Sequence, residues 1–332
     1  MLRYISRRFV QLAILLWIVS ILTFIIIQLP PGDFVTRRMM QLRMSGAEVG
    51  EAEVQRLYSV YGLDKPLYVQ YFKWIWNIVR YGDLGFSFGF NEPVREVIGD
   101  RILLTMVISF FTIMFVYLVG IPIGIYSATH QYSLSDYGFT FVGFIGLAIP
   151  NFLLALILMY VLFIKFGASV TGLFSPEYAL LPWSLARVWD MLKHLGIPVI
   201  VIGTAGTAGL IRITRGCLLD ELRKQYVITA RAKGMPEKKL LFKYPVRMAV
   251  SPIVSTIGWM LPAIISGEAV TAIVLNLPTT GTMLLEALLQ QDMFLAGSFI
   301  MILSALTVSG TLISDILLVW VDPRIRYERR SR

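Results

Sequence analysis

Two carboxylates, Glu268 and Asp315, lie inside long apolar runs, and they are the only acids that do. An acid in hydrocarbon is costly to keep. It forms an ion or proton site, lines a water-filled cavity, or packs and caps against polar backbone. Proton coupling would need a titratable partner at the same depth, and no Lys, Arg or His interrupts those runs. The remaining inventory is thin. One cysteine, Cys217, precludes an internal disulfide framework, and 2 histidines preclude a His-rich metal centre. No GxxxxGKS/T phosphate loop, HExxH pair or GxSxG elbow occurs. Gly82, Gly85 and Gly89 have GxxGxxxG spacing without a preceding strand pattern, which makes them turn glycines. No catalytic residue, metal ligand or resident cofactor is expected, and the chain does not hydrolyse ATP by itself.

A second chemical feature is a basic segment, Arg212 to Arg247, with ten Lys/Arg against three Asp/Glu. Each such charge would cost roughly 3 kcal/mol at a bilayer centre, so the segment must form a polar structure on one membrane face. It splits at Gly234-Met235-Pro236: glycine permits a left-handed helix end, and proline suits the first turn of a following helix. The first piece, Leu218 to Lys233, sets Leu222, Tyr226 and Ala230 near one face. The second, Glu237 to Arg247, sets Leu240, Leu241 and Tyr244 against Lys238, Lys239, Lys243 and Arg247. Such a pair could lie on anionic lipid. The small residues Thr229, Ala230 and Ala232 at the bend point instead to close approach by another protein.

The elements that must position these residues are membrane spans. Of the 332 residues, 56% are hydrophobic and only 15% charged, beyond a soluble domain's composition. Apolar runs of about 20 residues match the roughly 30 Å hydrocarbon core. The pattern predicts an all-α polytopic membrane protein with six spans, near 9–29, 102–128, 137–164, 195–211, 250–275 and 294–321. Residues 1–30 form a basic tail and an uncleaved first helix, since no small-x-small cleavage site follows the apolar run. Residues 31–101 form an extracytoplasmic region expected to hold a small helical domain or an interfacial helix, with aromatics that anchor at the interface or dock a partner. Residues 102–321 form the five-helix core, with 212–247 as its polar loop, and 322–332 a basic tail. Placing both termini in the cytosol puts 18 of the 30 Lys/Arg on that side, as the positive-inside bias requires. The net charge of +9 is thereby a sorting signal and not a nucleic-acid surface.

The string YVITARAKG followed by YPVRMAVSP resembles the coupling-helix loop of binding-protein-dependent ABC importer permeases, whose signature is EAA-x3-G-x9-I-x-L-P. Gly234 falls on the signature glycine and Ala230 on its second alanine. Thr229 replaces the first alanine, Ile228 the acid, and Arg247 the final proline, while Tyr244 and Val246 occupy the I and L places. TARAKG is the form usual in the peptide-importer branch. YGLDKPLYVQY, YGDLGFS, GIPIG, AIPNF and VDPRIRY look like the dipeptide/oligopeptide/nickel permease family, first-subunit type, across nearly the whole chain. That family commonly has an acid where Ala272 stands here, with Glu268 one turn earlier, and NLPTTG and QDMFLAG look like some of its oligosaccharide importers.

The resemblance implies a bacterial or archaeal cell-membrane permease subunit for di- or oligopeptides, with oligosaccharide or nickel as alternatives. It implies a second homologous permease, two ABC ATPases that bind ATP and Mg, and an extracytoplasmic substrate-binding protein, with lipids around and no nucleic acid. Coupling to the ATPase would fall on Tyr226, Thr229, Ala230, Arg231, Ala232, Gly234, Met235, Pro236 and Lys239, and Glu268 and Asp315 are candidate path-lining residues. A rival from another class is an ion-coupled secondary transporter using Glu268 and Asp315. A membrane-bound enzyme has no catalytic constellation to support it.

Overall fold

The structure is a computed structural model and describes residues 2–28, 65–87, 89–167, 170–179 and 181–321. Residues 29–64 of the first loop and the tail 322–332 lie outside the described residues. Apart from one pair of two-residue strands, every described element is helical. The chain divides into two compact units, one of Met1–Leu104 with Thr279–Val308, the other of Thr105–Pro278 with Ser309–Arg332.

The first unit holds α1 (Leu2–Gln28), α2 (Leu67–Tyr81), β1 (Phe86–Ser87), β2 (Glu92–Pro93) and α12 (Thr280–Leu289), with the beginnings of α3 (Val94–Thr129) and α13 (Met293–Val321). Helix α2 lies in the segment where a helix was expected after the first span. Its Tyr71 hydroxyl shares a 2.7 Å hydrogen bond with Ser20 of α1, and Phe24 meets the Tyr71 ring edge-on at 5.5 Å. Tyr68, Phe72 and Trp76 remain exposed on another side. Gly82 ends α2 in a left-handed conformation (φ 63°), as its reading as a turn glycine requires. An unforeseen polar node closes this unit. Asp292 is fully buried and accepts from Ser87 Oγ (2.6 Å), Gly89 N (3.0 Å) and Leu295 N (3.1 Å). It ties the β1–β2 turn to the start of α13 over a core of Val94, Ile98, Met283, Leu295 and Phe299.

The second unit is built on α7 (Gly196–Leu222), which packs against α3, α4 (Leu134–Ala148) and α5 (Asn151–Phe166). The GTAGTAG stretch makes this possible. A Cβ on Gly203 would sit 2.8 Å from the Phe115 ring, so only the missing side chain lets α3 come this close. At the other end of α7, Arg215 holds buried Asp136 of α4 by two bonds, Nε to Oδ1 at 3.0 Å and Nη2 to Oδ2 at 2.9 Å. After α6 (Leu185–His194) and α7 come α8 (Gln225–Ala232), α9 (Glu237–Lys243), α10 (Pro245–Ser255) and α11 (Ile257–Val274).

Four helices among the described residues, α1, α3, α7 and α13, are long and apolar enough to cross a membrane, or five if α4 and α5 form one bent span. The expected third span is therefore not a straight helix: α4 and α5 meet at 104° around Pro150. Proline lacks the N–H that would continue the ladder and pushes its predecessor out of helical geometry. The expected fifth span likewise divides into α10 and α11 at Thr256, where the Tyr117 hydroxyl of α3 reaches Thr256 Oγ1 (2.6 Å) and the Ile253 carbonyl (3.2 Å). The stretches between the expected spans, 165–194 and 276–293, contain the unforeseen helices α6 and α12.

Candidate coupling site

The basic segment does not begin as a separate structure. Arg212 to Leu222 continues α7 for three further turns, and the expected single piece Leu218–Lys233 is broken at Arg223–Lys224, where Lys224 is extended (ψ 147°). Burial explains the break. Leu218 and Val227 are both fully buried, yet nine residues at about 100° each would put them on opposite sides of one helix. The turn re-aims α8 so that both faces are satisfied.

At the far end of α8 the chain forms a Schellman turn. Gly234 N donates to Arg231 O (2.9 Å) and Met235 N to Ala230 O (3.3 Å), with Gly234 at φ 76°. The hydrophobic contact that accompanies such turns is present: Met235 packs on the buried cluster Val227, Ala230 and Leu240, with Tyr244 beside it. Pro236 then caps α9, and Arg231 bridges the bend to Glu237 with bonds of 2.5 and 3.1 Å. That bond holds the exposed Glu237 carboxyl below its usual range. Pro245 starts α10 and returns the chain to the core.

Between α8 and α9 lies a groove of about 550 Å³, lined by Tyr226, Thr229, Ala230, Lys233, Met235, Pro236, Lys239 and Tyr244. Six of the nine residues expected from sequence line it. Arg231 braces its edge through Glu237, Gly234 makes its turn, and Ala232 is exposed beside it. Two lining residues, Lys233 and Tyr244, were not expected. Tyr244 could have been found from its place in the signature, and Lys233 only from the turn geometry. The Tyr226 and Tyr244 rings stand 6.3 Å apart, and Tyr226 donates to the Glu221 carboxylate on α7. Burial, and then that bond, push the Tyr226 phenol above its usual value. The groove thus has an apolar floor, aromatic walls and two lysines at its rim.

The two candidate path residues are in the same unit on different helices. Glu268 is buried in α11, both carboxyl oxygens without a hydrogen bond of normal geometry, and the Thr105 side chain of α3 is its polar neighbour. Asp315 is half-buried in α13 and engaged by a neighbouring group. Among the described residues no group of His, Cys, Asp or Glu is arranged to hold a metal ion.

The profile of the family described as "Binding-protein-dependent transport system inner membrane component" matches residues 120–327, and its N-terminal companion matches residues 1–110. The oligopeptide transport system permease protein AppB of Bacillus subtilis (strain 168) is 37% identical over 328 residues, covering 98% of this chain and 99% of its own. The di/tripeptide transport system permease protein DppB of Pseudomonas aeruginosa (strain UCBPP-PA14) is 31% identical, covering 99% of this chain and all of its own. The dipeptide transport system permease protein DppB of Alkalihalophilus pseudofirmus is 29% identical, with 98% of this chain covered.

Proposed function

The chain belongs to the binding-protein-dependent transport system inner membrane component family, as a multi-pass permease of an ABC importer, and from that membership we propose how it is energised and what it carries. It forms the path for di- or oligopeptides together with a second homologous permease. Two ATPase subunits bind ATP and Mg, and each receives in a surface groove of its own the permease's coupling helix, here about Ile228 to Lys243, which spans the bend from α8 to α9. An extracytoplasmic binding protein delivers the cargo. The observation that carries this reading is the α8–α9 groove, lined by six of the nine residues that the resemblance implies for coupling, and tied at one end to the spanning helix α7. Helix α8 follows α7 after two residues, and α9 runs through Tyr244 into α10, so force on the groove passes to both. Peptide cargo is supported by the names of the relatives, which are oligopeptide, dipeptide and di/tripeptide permeases.

In this cycle, ATP binding draws the two coupling sites together and turns the path outward, and hydrolysis resets it. ATP and the loaded binding protein must each favour one permease state, because a ligand that binds both states equally shifts nothing. Both termini lie in the cytosol with the basic segment, and Glu268 and Asp315 line or support the path.

Reconstitution of the complete transporter tests the reading. Uptake should require internal ATP and survive a protonophore. Uptake that persists without ATP and collapses with the proton gradient would replace it with ion-coupled transport. A binding screen on the partner binding protein decides cargo: peptides are expected to bind, whereas binding of only oligosaccharides or nickel would keep the importer and change what it carries.

A further inference from the structure

Helix α6 is built inside out. Its buried face is Arg187, Asp190, Met191 and His194, spaced i, i+3, i+4 and i+7, with the first three only 9%, 8% and 5% exposed. Its outward face is Leu185, Trp189 and Leu192, spaced i, i+4 and i+7, exposed by 91%, 63% and 38%. A helix on a water-facing surface has the opposite arrangement.

The inversion is held by specific bonds. Arg187 lies between the Phe174 and Trp183 rings, 4.6 Å from each, and donates to the carbonyls of Leu181 and Ala179. Asp190 accepts from both Ser175 N and Ser175 Oγ at 2.7 Å, and His194 Nδ1 contacts the Asp190 carbonyl at 2.8 Å. Turning the helix over would strand a guanidinium and a carboxylate, so the loop keeps its polar groups inside and its apolar face out. An apolar face held outward this firmly meets an apolar medium.

Chain continuity says which. Only Leu195 separates α6 from α7, a helix long and apolar enough to cross a membrane, so the C-terminal end of α6 is held at the membrane surface where α7 starts. The flank fits that depth: Lys193 Nζ lies 5.9 Å from the Trp189 ring, placing an ammonium beside an amphipathic aromatic as at a headgroup boundary. We propose that α6 lies in the headgroup–acyl boundary at the face where α7 starts, with Leu185, Trp189 and Leu192 in lipid. Its length of about 15 Å makes it a float that sets the depth and rotation of α7.

Site-directed spin labelling of the full chain tests this, in native membrane vesicles and in phosphatidylethanolamine/phosphatidylglycerol liposomes. Single cysteines (Leu185→Cys, Trp189→Cys, Leu192→Cys, with Glu177→Cys as the water-facing control) are placed in a Cys217→Ala background. Labels at 185, 189 and 192 should collide with oxygen severalfold more than with a water-soluble nickel chelate, and the label at 177 the reverse. Nickel accessibility at the three positions would overturn the proposal in favour of a water-facing surface. Low accessibility to both probes would overturn it in favour of cover by protein. Where a labelled variant fails to fold, brominated-lipid quenching of tryptophan fluorescence serves: Trp189→Phe should remove a quenched component, and unchanged quenching would count against lipid contact.

Discussion

Gly234 holds a backbone shape that side chains resist, and nothing within 4 Å would meet a Cβ there, so its constraint is conformational and not one of space. A non-glycine residue in this region costs about 1–2 kcal/mol, with asparagine the best tolerated. Gly234→Leu should therefore uncouple ATP hydrolysis from uptake in the reconstituted transporter, while Gly234→Asn retains most coupling. Normal transport by Gly234→Leu would show that the turn does not matter. The lysines make a second test. Lys233 and Lys239 line the groove and Lys238 does not, so reversing either of the first two to Glu should lower ATPase co-purification severalfold more than Lys238→Glu. Sequence spacing placed the bend because glycine and proline act locally. It missed the role of Lys233, which depends on how the Schellman turn folds α9 back beside α8.

Among the elements, α7 does most of the positioning, and its two ends work differently. Its glycine-rich part admits α3 by shape, whereas its polar part is clasped by Arg215 and buried Asp136. Removing Asp136 leaves the Arg215 charge uncompensated but still partly solvated, a loss smaller than the roughly 3–5 kcal/mol of a fully buried pair, while replacing both by apolar residues of similar size is often nearly neutral. Asp136→Ala should accordingly lower the melting temperature of the purified permease markedly, and Asp136→Leu combined with Arg215→Met should recover most of it. Equal melting temperatures for the single and double variants would mean the pair is not what holds α4. The glycines were legible as a small-residue helix face. The pairing of residues 136 and 215 was not, because a salt bridge between positions 79 apart leaves no mark in either local pattern.

At the scale of the whole molecule the question is what drives transport. Glu268 is buried beside the Thr105 side chain, and no charged group among the described residues acts on it. In an ATP-driven permease it needs only to be tolerated, so Glu268→Gln should leave ATP-dependent uptake within about twofold of normal and leave its pH profile unchanged. Loss of uptake or a shifted profile would point to a working proton site. The sequence by itself determined the membrane class, the family and the Gly234–Pro236 bend. Those follow from composition, charge count and local backbone preference, which need no partner elsewhere in the chain. Only the tertiary structure decided that α7 runs on into the basic segment, that Asp292 and Asp136 are buried anchors, and that α6 turns its polar face inward. Each of those depends on which distant group satisfies a charge or fills a face, and hydrophobic periodicity is silent about that: in α6 it marks two faces without saying which one is covered.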